Sequence, residues 1–141
     1  MTLYLDADIV VATVLTEADS AAIVGWLDGE AEDFALGDLA VGEIVAALYR
    51  AVRNERIDHA DLTGYVAAVD SWHVSSCTAI SHTGSDIRRA AEYVRHFDLA
   101  LRMPDAIHLA TCGRLGMTIA TRDRRVLRAA EALGIDAVRP G

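Results

Sequence analysis

Lysine is absent from all 141 residues, so thirteen arginines carry the whole positive charge. The first 49 residues hold ten acids and no Lys or Arg, while residues 50–141 hold thirteen Arg against eleven acids, and the net charge is −8. That balance excludes general coating of nucleic acid. It leaves open a local arginine-lined track, because binding depends on where charge lies. The missing lysine itself reads as genome composition rather than mechanism. Prolines are few, and no tract rich in Pro, Gly or Ser, no repeat and no low-complexity segment interrupts the chain, so a single domain over 1–141 is expected. The two cysteines, Cys77 and Cys112, have neither CxxC nor zinc-ligand spacing, which excludes a disulfide framework and reads as reduced, buried thiols of a cytoplasmic protein. No apolar run approaches a membrane span; "IVVATVL" at 9–15 is the longest strong one. The opening "MTLYLDAD" has no basic region and already carries Asp6 and Asp8, unlike a signal peptide.

What remains is 52% hydrophobic and 24% charged, the composition of a globular domain. Short apolar runs alternate with helix-length segments. Strands are expected at 2–6, 34–37, 73–80, 117–121 and 135–140, and helices at 8–16, 19–28, 39–55, 58–72, 84–97, 104–113 and 122–133. Asp38 stands as an N-cap, and Gly29 and Gly134 as helix ends. Alternation of this kind predicts an α/β domain: βαβ units and a mainly parallel central sheet flanked by helices on both faces.

Within that frame "RMPDAIHLAT", residues 102–111, poses a problem. Pro104 suits the first turn of a helix, and the segment after it is apolar nearly all round, so the helix should be buried. Asp105 complements the helix dipole at its start, but an acid leading into the core needs a partner. Ligands of parallel sheets bind beyond the carboxyl ends of the strands. Asp6 follows "LYL", Asp123 follows "TIAT", Glu43 lies one turn into the helix after "FALG", and Asp105 opens its helix after a loop. Four carboxylates from four segments are thus expected at one sheet edge. Like charges brought together repel unless a hard cation or basic side chains neutralise them. Mg²⁺ or Mn²⁺, held by a few carboxylates with waters and substrate phosphate, fits that donor set and supports phosphodiester hydrolysis.

The same residues carry a resemblance. "LYLDADIVVA", "GEIVAALYR", "PDAIHLATC" and "MTIATRDRRVL" are similar, in this order, to the motifs of the PIN-domain family and within it the VapC-like toxins. The resemblance runs from Leu3 to Pro140. It implies a Mg²⁺- or Mn²⁺-dependent endoribonuclease, with metal and catalysis at Asp6, Glu43, Asp105 and Asp123 and Thr121 in support; Asp8, beside Asp6, is a further supporting candidate. It further implies an RNA substrate, a homodimer, and a cognate antitoxin whose tail occupies the acidic site. Asp8 departs from the family's usual Ser or Thr: it either caps the first helix or adds a fifth charge. Asp38 likewise replaces a small hydroxyl residue.

Other residues admit plainer readings. His108, on the Asp105 face of its helix, reads as a hydrogen-bonded core histidine rather than a base. Arg122, Arg124, Arg125 and Arg128 form either a solvated face or a phosphate track, and Trp26 and Trp72 read as packing anchors. Two rival functions stand. "LDADIVV" also resembles the D-x-D opening of haloacid-dehalogenase-like phosphatases, with Asp6 as nucleophile and Asp8 as acid/base. A PIN-like chain can also bind RNA or a partner without cutting it.

Overall fold

The structure, a computed structural model, describes residues 2–30 and 32–141. Five short runs form strands: Thr2–Leu5 (β1), Asp33–Gly37 (β2), Cys77–Ile80 (β3), Thr118–Ala120 (β4) and Ala137–Val138 (β5). They make one sheet in the order β3-β2-β1-β4-β5, with every neighbouring pair parallel. The helices are Ala7–Val14 (α1), Ser20–Gly29 (α2), Asp38–Arg53 (α3), His59–Ser76 (α4), Gly84–Val94 (α5), Met103–Leu115 (α6) and Arg124–Leu133 (α7). The expected α/β architecture is therefore the observed one.

Alternation along the strands divides the core in two. Leu5, Leu36 and Ala120 face a cluster built with Ile9, Val10, Ile23, Ile44, Leu48, Leu62 and Val69 from α1–α4. Their strand neighbours Tyr4, Ala35 and Ile119 face the other way, onto Ala90, Leu109, Val126 and Ala130 from α5–α7. A strand buried on both faces has no polar side to show, which is why these runs are continuously apolar. Trp26 and Trp72 pack half-buried against the first cluster, as anchors. α6 and α7 both end at a glycine in the left-handed region, Gly116 (φ 64°) and Gly134 (φ 69°), where a Cβ is disfavoured.

Four local expectations are corrected. The strand expected at 73–80 starts only at Cys77, because α4 runs on to Ser76 and ladder partners on β2 begin with Phe34↔Cys77. Val74, inside that expected strand, is 83% exposed on the last turn of α4. The helix expected at 84–97 stops at Val94, and Phe97–Leu99 form a separate 3₁₀ turn. Asp38 is the first residue of α3 rather than its cap; Gly37 holds that place, without a side chain to bond. Asp8 does not cap α1, because Asp6 does, accepting from Ala7 N–H at 2.8 Å.

Candidate functional site

β1 and β4 lie side by side where the chain order reverses, since β2 and β3 continue to one side of β1 and β5 lies beyond β4. The residues just past their carboxyl ends are Asp6 and Thr121, joined by Asp6 N–H to Ala120 C=O at 2.9 Å. Thr121, fully buried, donates its hydroxyl to Asp6 Oδ2 at 2.7 Å and accepts from Asp123 N–H at 3.1 Å. Asp123 in turn caps α7 by accepting from Arg125 N–H at 2.8 Å, and its other oxygen meets the Arg125 guanidinium at 3.3 Å. Burial pushes Asp123 up, but the Arg125 N–H and guanidinium outweigh it and hold the carboxyl below its usual value. Among the described residues Asp6 has no such guanidinium partner. Burial, with the charge of Glu43 adding to it, holds the Asp6 carboxyl above the usual range, although His108, Thr121 and the Ala7 N–H pull the other way.

Asp8 completes this corner. Its Oδ2 accepts from Arg122 N–H at 3.2 Å, while Arg122 Nη2 donates to the Asp8 C=O at 2.7 Å and Nη1 meets Glu17 and Asp19 at 3.1 and 2.8 Å. Arg122 is thus a clamp from the β4–α7 turn onto the end of α1 and the following loop, not part of a phosphate track. Burial first and the Asp6 charge second push Asp8 up to about 7, against the pull of Arg122. Because that value lies above the ordinary carboxylate value, the folded state holds a proton that the unfolded chain has lost. Stability from this group therefore falls as pH rises from about 4 to about 7. Asp8→Asn, which keeps an oxygen for Arg122, abolishes that fall. In metal-free buffer its melting temperature at pH 8 should exceed wild type by on the order of 5 °C and match it at pH 4; equal curves at both pH values contradict the charge strain.

Glu43 projects from the second turn of α3 with its side chain 32% exposed, and its Oε1 meets His108 Nε2 at 2.5 Å. The other ring nitrogen, Nδ1, lies 2.5 Å from the Tyr4 hydroxyl. Gly37 makes room for this arrangement: a Cβ there would collide with the Tyr4 hydroxyl and lie 2.8 Å from His82 Nε2, which itself accepts from Leu39 N–H. Gly37→Ala should therefore lower stability by about 1–3 kcal/mol, read from denaturant midpoints, and an unchanged midpoint contradicts the contact.

Asp105 is 8% exposed at the start of α6, whose next turns are buried nearly all round, as expected. Its ion-pair partner is Arg102, three residues earlier at 3.4 Å and itself 67% exposed at the side chain. Asp105 is also near enough for its charge to act on Arg125. The structure thus links Asp6, Thr121 and Asp123 directly, sets Glu43 and Asp8 within electrostatic reach of Asp6, and ties Asp105 in through Arg125.

The donors are hard oxygens, and one of them, Asp8 Oδ1, is buried and bonded to nothing among the described residues. Both features fit a divalent cation. The fit lies in donor type and unrelieved charge rather than in a closed cage: among the described residues no three His, Cys, Asp or Glu side chains are so placed as to hold an ion. Arg124 and Arg128 are exposed, Arg125 is half-buried against Asp123, and Cys77 and Cys112 are free thiols, half-buried and buried. Among the described residues no helix is long and apolar enough to cross a membrane.

The family model described as PIN domain matches residues 3–132. Ribonuclease VapC35 of Mycobacterium tuberculosis is 32% identical over 145 residues, covering 99% of this chain and 97% of that protein. Among solved structures, Mycobacterium tuberculosis VapC20, described as a sarcin–ricin loop cleaving toxin, superposes with a TM-score of 0.75 at 19% identity, covering 98% of this chain and 99% of that one. VapBC2 from Rickettsia felis, solved bound to a DNA fragment from its promoter, gives 0.73 at 11% identity with all of both chains covered.

Proposed function

Since the chain belongs to the PIN-domain family, we propose that it is a Mg²⁺- or Mn²⁺-dependent endoribonuclease and the toxin of a toxin–antitoxin pair. The observation that carries the proposal is the Asp6–Thr121–Asp123 chain at the β1/β4 switch point, with Glu43 acting on Asp6, which no guanidinium among the described residues engages. Ligand sites of parallel sheets lie at such points. The full-length likeness to a ribonuclease supports the same reaction. Asp6, Glu43, Asp105 and Asp123 would hold the metal, with Asp8 beside them. When bound, a divalent ion supplies activated water and a counter-charge for the leaving oxygen.

The chain's own residues do the rest. Thr121 and the Ala7 N–H fix both oxygens of Asp6, so the carboxylate cannot rotate away from the edge. Arg102 and Arg125, paired with Asp105 and Asp123, set positive charge beside the acids, where a phosphate chain passes. Cognate antitoxin and a second copy of this chain are the protein partners proposed, on the likeness to VapC toxins and to VapBC2. Nothing in the likeness favours phospho-aspartate chemistry at Asp6, and Asp8, engaged by Arg122, is not placed as a free acid/base.

Total cellular RNA, incubated with wild type and Asp105→Ala in Mn²⁺ or in EDTA, tests the reading. Discrete fragments are expected from wild type with metal alone. Mn²⁺ should also raise the melting temperature of wild type and leave that of the variant unchanged. RNA that is bound but uncut by wild type under every metal condition converts the reading to a binding module.

A further inference from the structure

Behind the acidic edge lie two buried polar side chains that the proposed chemistry does not use. Tyr4 in β1 is fully buried and His108 in α6 is 1% exposed. Burying a phenol and an imidazole between two apolar layers is unfavourable unless each polar atom is bonded, and a Phe–Leu pair would fill the same space without that demand. Here every polar atom of the pair is engaged. The hydroxyl and Nδ1 meet at 2.5 Å, and Nε2 meets Glu43 Oε1 at 2.5 Å. The His82 ring stands edge-on to the imidazole at 5.8 Å and closes the remaining side, while Gly37 leaves the hydroxyl its space.

The direction of these bonds follows from what each atom can do. A carboxylate oxygen only accepts, so the proton facing Glu43 is on Nε2. In the neutral ring Nδ1 is then the acceptor, and the Tyr4 hydroxyl, which burial keeps protonated far above its usual range, is the donor. A second ring nitrogen bonded in this way fixes both the tautomer and the orientation of an imidazole. Among the described residues Glu43 is bonded through Oε1 alone, which leaves Oε2 available.

We propose that Tyr4 and His108 are positioning residues: the phenol sets the imidazole tautomer, and the imidazole pins one oxygen of Glu43 so that the other is presented to the metal. This rests on the acidic edge being a cation site. The pair touches neither metal nor substrate. Its effect is on how well Glu43 is held, and outer-shell partners of this kind are worth roughly 10- to 100-fold in metal affinity.

Mn²⁺ alone is the probe, its binding followed by the electron paramagnetic resonance of the free ion. The amide introduced by His108→Gln reaches the place of Nε2, whereas that of His108→Asn reaches only the place of Nδ1. Both are made with Tyr4→Phe, so that no hydroxyl is left buried without an acceptor. Expected is a loss of roughly 10- to 100-fold for Tyr4→Phe/His108→Asn, restored to within a few-fold by Tyr4→Phe/His108→Gln. Equal affinity of the two double variants overturns the positioning role. In wild type, ¹⁵N spectra should show the His108 proton on Nε2; a proton on Nδ1 overturns the proposal with no variant needed. Asp6→Ala separates the two levels. If it binds Mn²⁺ as wild type does, the acidic-edge reading falls and this proposal with it. If it is weak while the two double variants are alike, only the positioning role falls.

Discussion

Asp6→Asn should reduce RNA cleavage by at least roughly 10²–10³, the effect of removing one charge-stabilising group from an active site, and at the same time make the metal-free protein more stable. Both follow from one position. Asp6 sits past the end of β1, beside Asp8 and Glu43, and burial holds its carboxyl above the usual range. A raised carboxyl is a charge the fold carries uphill at neutral pH. Asn removes it while keeping an oxygen for the Ala7 N–H and a polar atom for Thr121. Asp6→Ala is the informative contrast, because it also deletes the α1 cap, worth about 1 kcal/mol. It should lose cleavage equally but gain less stability. The sign with pH is set: a group raised in the folded state weakens the fold as pH climbs above the ordinary carboxylate value. The gain from Asp6→Asn is therefore present at neutral pH and absent below about pH 4. Activity that survives in both variants refutes the assignment of Asp6, and a stability loss in Asp6→Asn refutes the charge argument.

Asp86→Ala should do the reverse, lowering the melting temperature by about 10 °C with cleavage at low temperature retained. Asp86 is only 2% exposed, yet it is fully provided for. Arg114 donates to both its oxygens at 2.8 and 2.9 Å, Thr111 donates at 3.0 Å, and the Thr83 N–H donates at 2.9 Å in a capping box for α5. Those bonds, Arg114 first, outweigh burial and hold its carboxyl well below the usual range. Loss of the cap and of charge-assisted bonds to buried partners sums to roughly 3 kcal/mol. The pH behaviour is opposite to that at Asp6. A depressed carboxyl contributes stability above the unfolded value, and that contribution is lost as pH falls below about 4. The difference between Asp86→Ala and wild type should therefore shrink in acid. A melting temperature within a degree or two of wild type at pH 7 contradicts the account. The contrast between these two acids separates structure from function: Asp86 has a guanidinium partner within the chain, and Asp6 has none among the described residues.

Asp86 has a local signature in the sequence. "TGSD" at 83–86 has the spacing of a capping box, the signal that a helix starts and that its fourth residue is engaged. Asp8 and Arg122 offered no such signal. Their partnership spans 114 positions, and local propensity made Asp8 a cap when Asp6 already was one. Asp123, which the sequence offers as a site residue, also caps α7 while bonding Thr121 through its own N–H. His108 is the bonded core histidine its helix face predicts, and its partner is an acid of the candidate site, 65 positions away on α3.

The sequence by itself determined the layer architecture, the helix ends at Gly29 and Gly134, and the acids at the carboxyl ends of the strands. These follow from period, turn chemistry and chain order, each of which acts over a few residues or over the topology as a whole. Only the tertiary structure decided which acids carry unrelieved charge. Burial and the nearest guanidinium set that, so Arg122 is drawn to Asp8, Arg125 to Asp123 and Arg102 to Asp105, while among the described residues Asp6 is left with hydroxyl and amide donors. Coulomb forces in a low-dielectric interior depend on separations of a few ångströms, and such distances between segments a hundred residues apart exist only once the chain has folded.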